Sequence, residues 1–484
     1  MKDLENSSNK PKSSFGAITG FLFTVSVVVG AGILSLPYSF RMSGWLLSGL
    51  YTIFCCLLCY YWGRQLVEVM SRCEALIQLR DNNHNLSRPS FQSVIFGSKS
   101  KNELESRLIS HEEYPPVITD RRVDLCEMIN ILFGNFWKSA YMFIFWVLGI
   151  LSLVSYAVIF ASSLTSNLDI GLMDPCNIYE SVGFFNDCRS SYWIYLVVFS
   201  VIVTYLTIIG MRESKYIQNA MICGTLFNLL LSTILAIISL IVGKDISSDE
   251  PSRPEDFKVA DYMNVGVSFP IILFAAIYHA FLPSILENVE KKPKSIQNIL
   301  TRVLVASLII YMMVGLIMPA AIPDVKGFFN IDFREYSAGY SQSERPWWTY
   351  PIAYFIVLYP SIGILSNFPL LAIAVSHNLT TYFYGVVEHK SARLGDYAIK
   401  LSTVFLPIAI AFYEYDLGNV TSFAGLFGIL MIPVAIPLMH LAAREMLPGK
   451  SIYDFKFATR PLSLFIIAFH IVILVFQIYK YIFP

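Results

Sequence analysis

Eleven stretches of this chain are apolar for long enough to cross a bilayer, and that repetition limits the fold more than any motif does. Their approximate limits are 15–40, 44–70, 137–168, 191–210, 217–243, 262–286, 300–322, 348–375, 397–414, 418–441 and 461–482. A helix spans the hydrocarbon core with about 20 apolar residues. Its backbone polar groups must be satisfied internally, or by protein around them. Charged residues make up 14% of the chain, against about 25% in soluble domains. The reading is an all-α polytopic membrane protein. Its net charge of zero suggests no nucleic-acid partner. Residues 1–14 read as a polar tail, and the run after them has no small-residue cleavage site, so 15–40 reads as a retained span.

The distribution of basic residues gives an orientation. With the N-terminus cytosolic, 26 of the 35 Lys and Arg fall on the cytosolic side and 9 on the other; basic residues collect on the cytosolic side of membrane proteins. This puts the loop DPCNIYESVGFFNDC outside, where Cys176 and Cys188 are expected to pair in an oxidising compartment. The intramembrane Cys55, Cys56, Cys59 and Cys223 read as small apolar fillers. The organisation expected is 15–70 for spans one and two, 71–122 as a largely disordered cytosolic loop, and 123–136 as an amphipathic interfacial helix. Spans three to five then occupy 137–243, spans six to ten 262–441, and span eleven 461–482. The sequons at Asn6, Asn85, Asn378 and Asn419 are expected on the cytosolic side or too near the membrane for glycosylation.

Two spans carry interruptions where ordinary ones carry Leu and Ile. The first reads VVVGAGILSLPYSF, with Gly30, Ala31, Gly32 and Pro37. Glycine costs backbone entropy in a helix and proline removes a hydrogen bond. The sixth has Gly266 and Pro270, then YHAFLPSIL with Pro283. Helix breaks are expected at Pro37 and Pro283, each late in its run, in spans of opposite direction. Paired breaks five spans apart mark an inverted five-plus-five repeat with a midplane site. A kinked helix with glycine at a tight contact would give the same residues. His279 is the ionisable residue at the second break. It is a candidate proton carrier, or a neutral imidazole bonded to a freed carbonyl. His470 reads as packing. In span eight, Tyr359-Pro360-Ser361 and Ser366-Asn367 offer hard oxygen ligands for a sodium ion, with Ser26 facing them, or ordinary interhelical hydrogen bonds. Ser152, Ser155 and Tyr156 of span three are candidates for lining a cavity.

At these residues the sequence resembles the amino acid/auxin permease family of secondary transporters. GAGILSLP is similar to its first-helix signature, YHAFLPSIL to its sixth-helix motif, and SNFPLLAIAVSHN to its eighth-helix region. The likeness covers nearly the whole chain, and the loop ending ITDRRVDLCEM most resembles one branch. The resemblance implies a LeuT-like fold of five plus five helices and one extra. It implies amino acid transport coupled to H+ or Na+. It implies that Gly30, Ala31, Gly32, Ile33 and Leu34 contact the substrate's amino and carboxylate groups, with Tyr278 and His279 lining the pocket. Ser26 and Ser366 fall where sodium-coupled members bind the cation, and Ser26 stands where those members often carry Asn.

The expected function is therefore an ion-coupled amino acid transporter working by alternating access, with a small-molecule amino acid and the lipid bilayer as partners. No cofactor or metal is expected, and no triad or phosphate loop points to an enzyme. The alternatives are a membrane receptor that binds an amino acid without moving it, and a channel, for which no charged filter is seen. Plasma and vacuolar or lysosomal membranes both fit.

Overall fold

The computed structural model describes residues 16–81, 88, 91–96, 116, 118, 123–168, 175–180, 186–209, 215–246, 257–287, 289–290, 292–384 and 390–482. The expected tail 1–14 and most of the loop between 82 and 122 lie outside the described residues. The rest is helix and short connections, as apolar, strand-poor patterning requires.

The first apolar run forms three short helices, α1 (Ala17–Val28), α2 (Ala31–Leu34) and α3 (Leu36–Ser43). α4 (Trp45–Asp81) follows, then α5 (Phe91–Phe96). α6 (Leu125–Phe133) leads into α7 (Asn135–Asn167) through Gly134, whose φ of 95° is open to glycine at little cost. α8 (Asp187–Ile209) and α9 (Lys215–Val242) complete the first half. The second begins with α10 (Val265–Ala276) and α11 (Leu282–Glu287). α12 (Lys292–Ala321), α13 (Thr349–Tyr384) and α14 (Lys390–Ala411) come next. α15 (Leu417–Ile429) passes through a π-helical turn, Leu430–Val434, into α16 (Ala435–Met446), and α17 (Arg460–Ile482) is last. Among the described residues eight helical stretches are long and apolar enough to cross a membrane. The expected spans 15–40 and 262–286 are divided, and 397–414, within α14, is not one of the eight. This is an integral, multi-pass membrane protein.

The breaks fall earlier than Pro37 and Pro283. The first lies at Val29 and Gly30, where ψ is 48° and −159°, with a second step at Ser35. The other begins at Ile277, where ψ is 113°. Each proline instead sits second in the helix that resumes after the gap, Pro37 in α3 and Pro283 in α11. The reason is chemical: a first-turn residue has no intrahelical N–H bond to lose, and proline's fixed φ suits that turn.

The broken helices run antiparallel. α1 packs on α11, while α3 packs on α10. They approach most closely at Gly32, where a Cβ would lie 2.6 Å from the Cα of Ala275. Beyond this crossing, a Cβ on Gly425 of α15 would lie 2.1 Å from the Pro270 carbonyl oxygen. Ser422 of α15 donates to the Val267 carbonyl at 3.1 Å. Only glycine admits such backbone contact between membrane helices.

Two further expectations change. The stretch 71–81 is not loop: α4 is 37 residues long, about 55 Å at 1.5 Å per residue, and projects past a bilayer core. α6 is amphipathic, but Leu125, Met128, Ile129 and Leu132 are buried, and the helix packs on α4, α7 and α16 rather than on lipid alone. The projecting part of α4 carries a buried ion cluster the sequence reading missed. Glu68 accepts from Arg72 Nε at 3.0 Å, from Arg444 Nε at 2.6 Å and from His440 Nε2 at 3.1 Å. Arg72 also reaches Asp454 at 3.2 Å. The legible signal was a Glu and an Arg four residues apart in an apolar helix. Cys176 and Cys188 form the expected disulfide.

Candidate functional site

A cavity of about 430 Å³ lies against both breaks. That is within the range of small-molecule sites. From the first broken helix it is lined by Phe23, Val27, Gly30, Ala31 and Gly32. From the second it takes Phe274, Ala275, Ile277, Ala280, Phe281 and Ile285. α7 contributes Phe145, Leu148, Gly149, Ser152 and Tyr156. α13 contributes Asn367, Leu370, Leu371, Ala374 and Val375, and the π-helical turn adds Met431. Of the two broken helices, the residues away from the breaks that line it come from α1 and from the part of the second helix beyond its gap. α3 contributes nothing, so the cavity lies on one side of the crossing.

Three side chains supply the polar edge. Ser152 and Tyr156 are one turn apart on α7, so they share a face. A Cβ on Gly30 would sit 3.9 Å from the Tyr156 hydroxyl, which places that hydroxyl beside the exposed backbone of the first break. The Ser152 hydroxyl donates to the Leu148 carbonyl at 2.8 Å, leaving its lone pairs as acceptors. Asn367 faces them from α13. No Asp, Glu, Lys, Arg or His is among the described lining residues.

The freed carbonyls find their partners on the face away from the cavity. Tyr311 of α12, fully buried, places its hydroxyl 3.0 Å from the Val28 carbonyl oxygen and 2.5 Å from that of Ala275, so its one proton is shared between them. One hydroxyl thus joins the first break to the second. Cys59 of α4 donates from Sγ to the Ala276 carbonyl at 3.5 Å. The Cys59 carbonyl accepts from the Tyr278 hydroxyl at 3.3 Å and from His279 Nε2 at 2.9 Å. A carbonyl only accepts, so Nε2 carries a proton; Nδ1 has no partner among the described residues.

Gly30, Ala31, Gly32, Tyr156 and Asn367 are therefore brought together at one cavity. Ile33 and Leu34 are buried but turned from it. Tyr278 and His279 face α4, because the chain after Ile277 is extended and swings them across to Cys59. The Ser26 and Ser366 side chains lie outside the described residues. Tyr359 and Ser361 do not join the cavity: the Tyr359 hydroxyl donates to the Met221 carbonyl on α9 at 3.1 Å. Ser155 bonds back to Leu151 at 3.1 Å. His470 donates to the Ile466 carbonyl at 2.9 Å and packs edge-on to Trp62. At Pro360, which cannot bond the Ile356 carbonyl, the amides of Asn228 and Asn330 do so at 3.2 and 2.9 Å. Tyr311, which ties the breaks together, was missed; a lone Tyr in an apolar span carries no signal of what it faces.

The branch suggested by ITDRRVDLCEM reappears among relatives. Transmembrane protein 104 of Homo sapiens is 21% identical over 444 residues, covering 87% of this chain and 86% of that protein. The Drosophila melanogaster homolog is 21% identical over 485 residues, 92% of each. The Dictyostelium discoideum homolog is 21% identical over 474 residues, 88% of each. A solved Eremococcus coleocola manganese transporter, in complex with an aromatic bis-isothiourea substituted compound, is 10% identical, with TM-score 0.49 over 97% of this chain and 87% of that one. The model of the transmembrane amino acid transporter protein family matches residues 13–483. The chain belongs to the transmembrane amino acid transporter protein family.

Proposed function

We propose that this membrane transporter is a secondary active amino acid carrier of LeuT-like, inverted-repeat design, binding its substrate at the two breaks. The observation that carries the reading is the pair of antiparallel interrupted helices meeting at Gly32 and Ala275, beside a cavity of amino acid size. Backbone leaving helical form inside protein is tolerated where it borders a cavity. There it presents N–H and C=O groups to a solute's charges. With the N-terminus cytosolic, the cavity lies on the cytosolic side of the crossing, so the state is inward-facing. Alternating access then requires the contacts beyond the crossing to part while the cavity closes.

The driving ion in this reading is the proton, because serine at position 26 stands where sodium-coupled members of the resembled family often carry asparagine. The test is uptake of a radiolabelled amino acid mixture by proteoliposomes holding the purified chain. Concentrative uptake under an imposed pH gradient supports the reading. Uptake driven by sodium alone overturns the ion assignment. Binding without flux under either gradient overturns carriage and favours the receptor.

A further inference from the structure

We propose that the cavity selects amino acids with bulky, uncharged, apolar side chains and rejects those whose side chains are ionised; this rests on the amino acid reading above. The lining divides by chemistry. Its polar groups are the backbone of Gly30–Gly32 and the side chains of Ser152, Tyr156 and Asn367, with the Tyr156 hydroxyl beside Gly30. Its apolar wall is built by Phe145, Leu148, Phe281, Ile285, Leu371 and Met431. An amino acid's ammonium and carboxylate neutralise one another, and dipoles at the breaks suffice to hold them. A third charge, on the side chain, has no counter-charge among the described lining residues, and burying an unpaired ion is costly.

The buried charges on α4 and α16 are engaged with one another: Arg72 and Arg444 both donate to Glu68, and His279 is turned to Cys59. None lines the cavity. Size is not the barrier to arginine or glutamate, since about 430 Å³ holds any single amino acid. The apolar wall also works against glycine, which leaves it unfilled.

One contact sets the width. α7 and α13 pack together along the cavity, and a Cβ on Gly149 would lie 2.6 Å from Val375 Cγ2. Val375 is stiff about χ1 and fully buried, so Gly149→Ala crowds the valine methyls toward the cavity that both residues line. Large side chains lose their place before small ones do.

The experiment measures uptake of labelled phenylalanine, leucine, glycine, arginine and glutamate by full-length protein in proteoliposomes, with thermal stabilisation of the detergent-purified chain by each as an independent binding readout. Phenylalanine and leucine are expected to exceed arginine and glutamate by at least about a hundredfold in kcat/KM or affinity. Gly149→Ala is expected to lower phenylalanine against glycine by about tenfold, and Gly149→Ala/Val375→Ala to restore it, which a merely misfolded variant would not do. Arginine or glutamate handled as well as leucine overturns the inference and leaves amino acid transport standing. Failure of the double variant to recover phenylalanine overturns the width assignment. Neither uptake nor stabilisation by any of the five overturns the amino acid reading, and the inference with it.

Discussion

The two sides of the helix crossing are built from the same broken helices and reach opposite outcomes. On one side, beyond the crossing of Gly32 and Ala275, α3 and α10 are closed in by close glycine contacts from their neighbours: Gly425 of α15 on Pro270, and Gly315 of α12 on the ring of Phe40. On the other, large side chains from α1 and from the second helix beyond its gap, Phe23, Phe281 and Ile285, border the cavity. Small residues let helices approach until dispersion alone holds them; bulky ones at the same crossing hold the walls apart. A transporter that alternates must exchange these two conditions. The sealed side is also capped by polar loops. The Cys176–Cys188 loop is anchored by the Cys176 N–H on the Thr165 carbonyl at 3.1 Å. The Tyr179 hydroxyl accepts from the Leu417 N–H at 3.4 Å.

Perturbing the seal should cost most. Gly425→Ala puts a methyl against a backbone carbonyl that has no room to yield. The expected loss is about 3 kcal/mol or more, read as a large fall in Tm or in folded yield, with uptake abolished. An unchanged Tm would show that the seal is loose and the two sides alike. Next is the cap: Cys176→Ser/Cys188→Ser frees a loop of 12 residues' separation, and about 3 kcal/mol of stability should go with it, measured by thermal unfolding with and without reductant on the parent.

Tyr311→Phe tests the joint between the sides. Removing the hydroxyl leaves the Val28 and Ala275 carbonyls without their shared donor and should cost about 2 kcal/mol, while uptake falls because the breaks lose their register. Tyr156→Phe belongs to the open side and should separate binding from folding: KM rises about tenfold, about 1.4 kcal/mol, and Tm stays put. A Tm drop matching that of Tyr311→Phe would erase the distinction between the two tyrosines.

The smallest effect concerns pH at the sealed end. Asp416 caps α15, accepting from the Gly418 N–H at 2.8 Å, and burial holds its carboxyl above the usual carboxylate range. The folded state therefore takes up this proton more readily than the unfolded one. The contribution is fully present below the unfolded value and is lost as pH rises through the folded one. Asp416→Asn keeps the capping oxygen, and it should flatten the fall in stability as pH rises above the ordinary carboxylate value of about 4, by less than about 1 kcal/mol. A steeper pH dependence in the variant would refute the assignment.

Much of this was legible without coordinates, and the misses have reasons. Apolar length finds spans because hydrocarbon imposes it residue by residue. Glycine and proline in GAGILSLP and YHAFLPSIL find the breaks to within about two turns, since both act on the local backbone. They misplace them because proline follows the gap: it is tolerated where the helix resumes, not where it stops. His279 and Tyr278 are pocket residues by what the family resemblance implies. Which way they point depends on Ile277, whose extended backbone turns them to α4. The cluster around Glu68 pairs residues more than 370 positions apart, and no local pattern encodes such a pairing.

By itself the sequence determined that this is a multi-pass helical membrane protein with two interrupted helices and one paired loop, because bilayer thickness, backbone hydrogen bonding and cysteine placement act locally along the chain. Only the tertiary structure decided that the interruptions meet at Gly32 and Ala275, that Tyr311 bridges them, and that the cavity lies on one side of the crossing with no charged side chain among its described lining residues. Those facts are relations between helices distant in the chain. They are set by which side chains are small enough to let two backbones touch, and that is known only once the helices are packed.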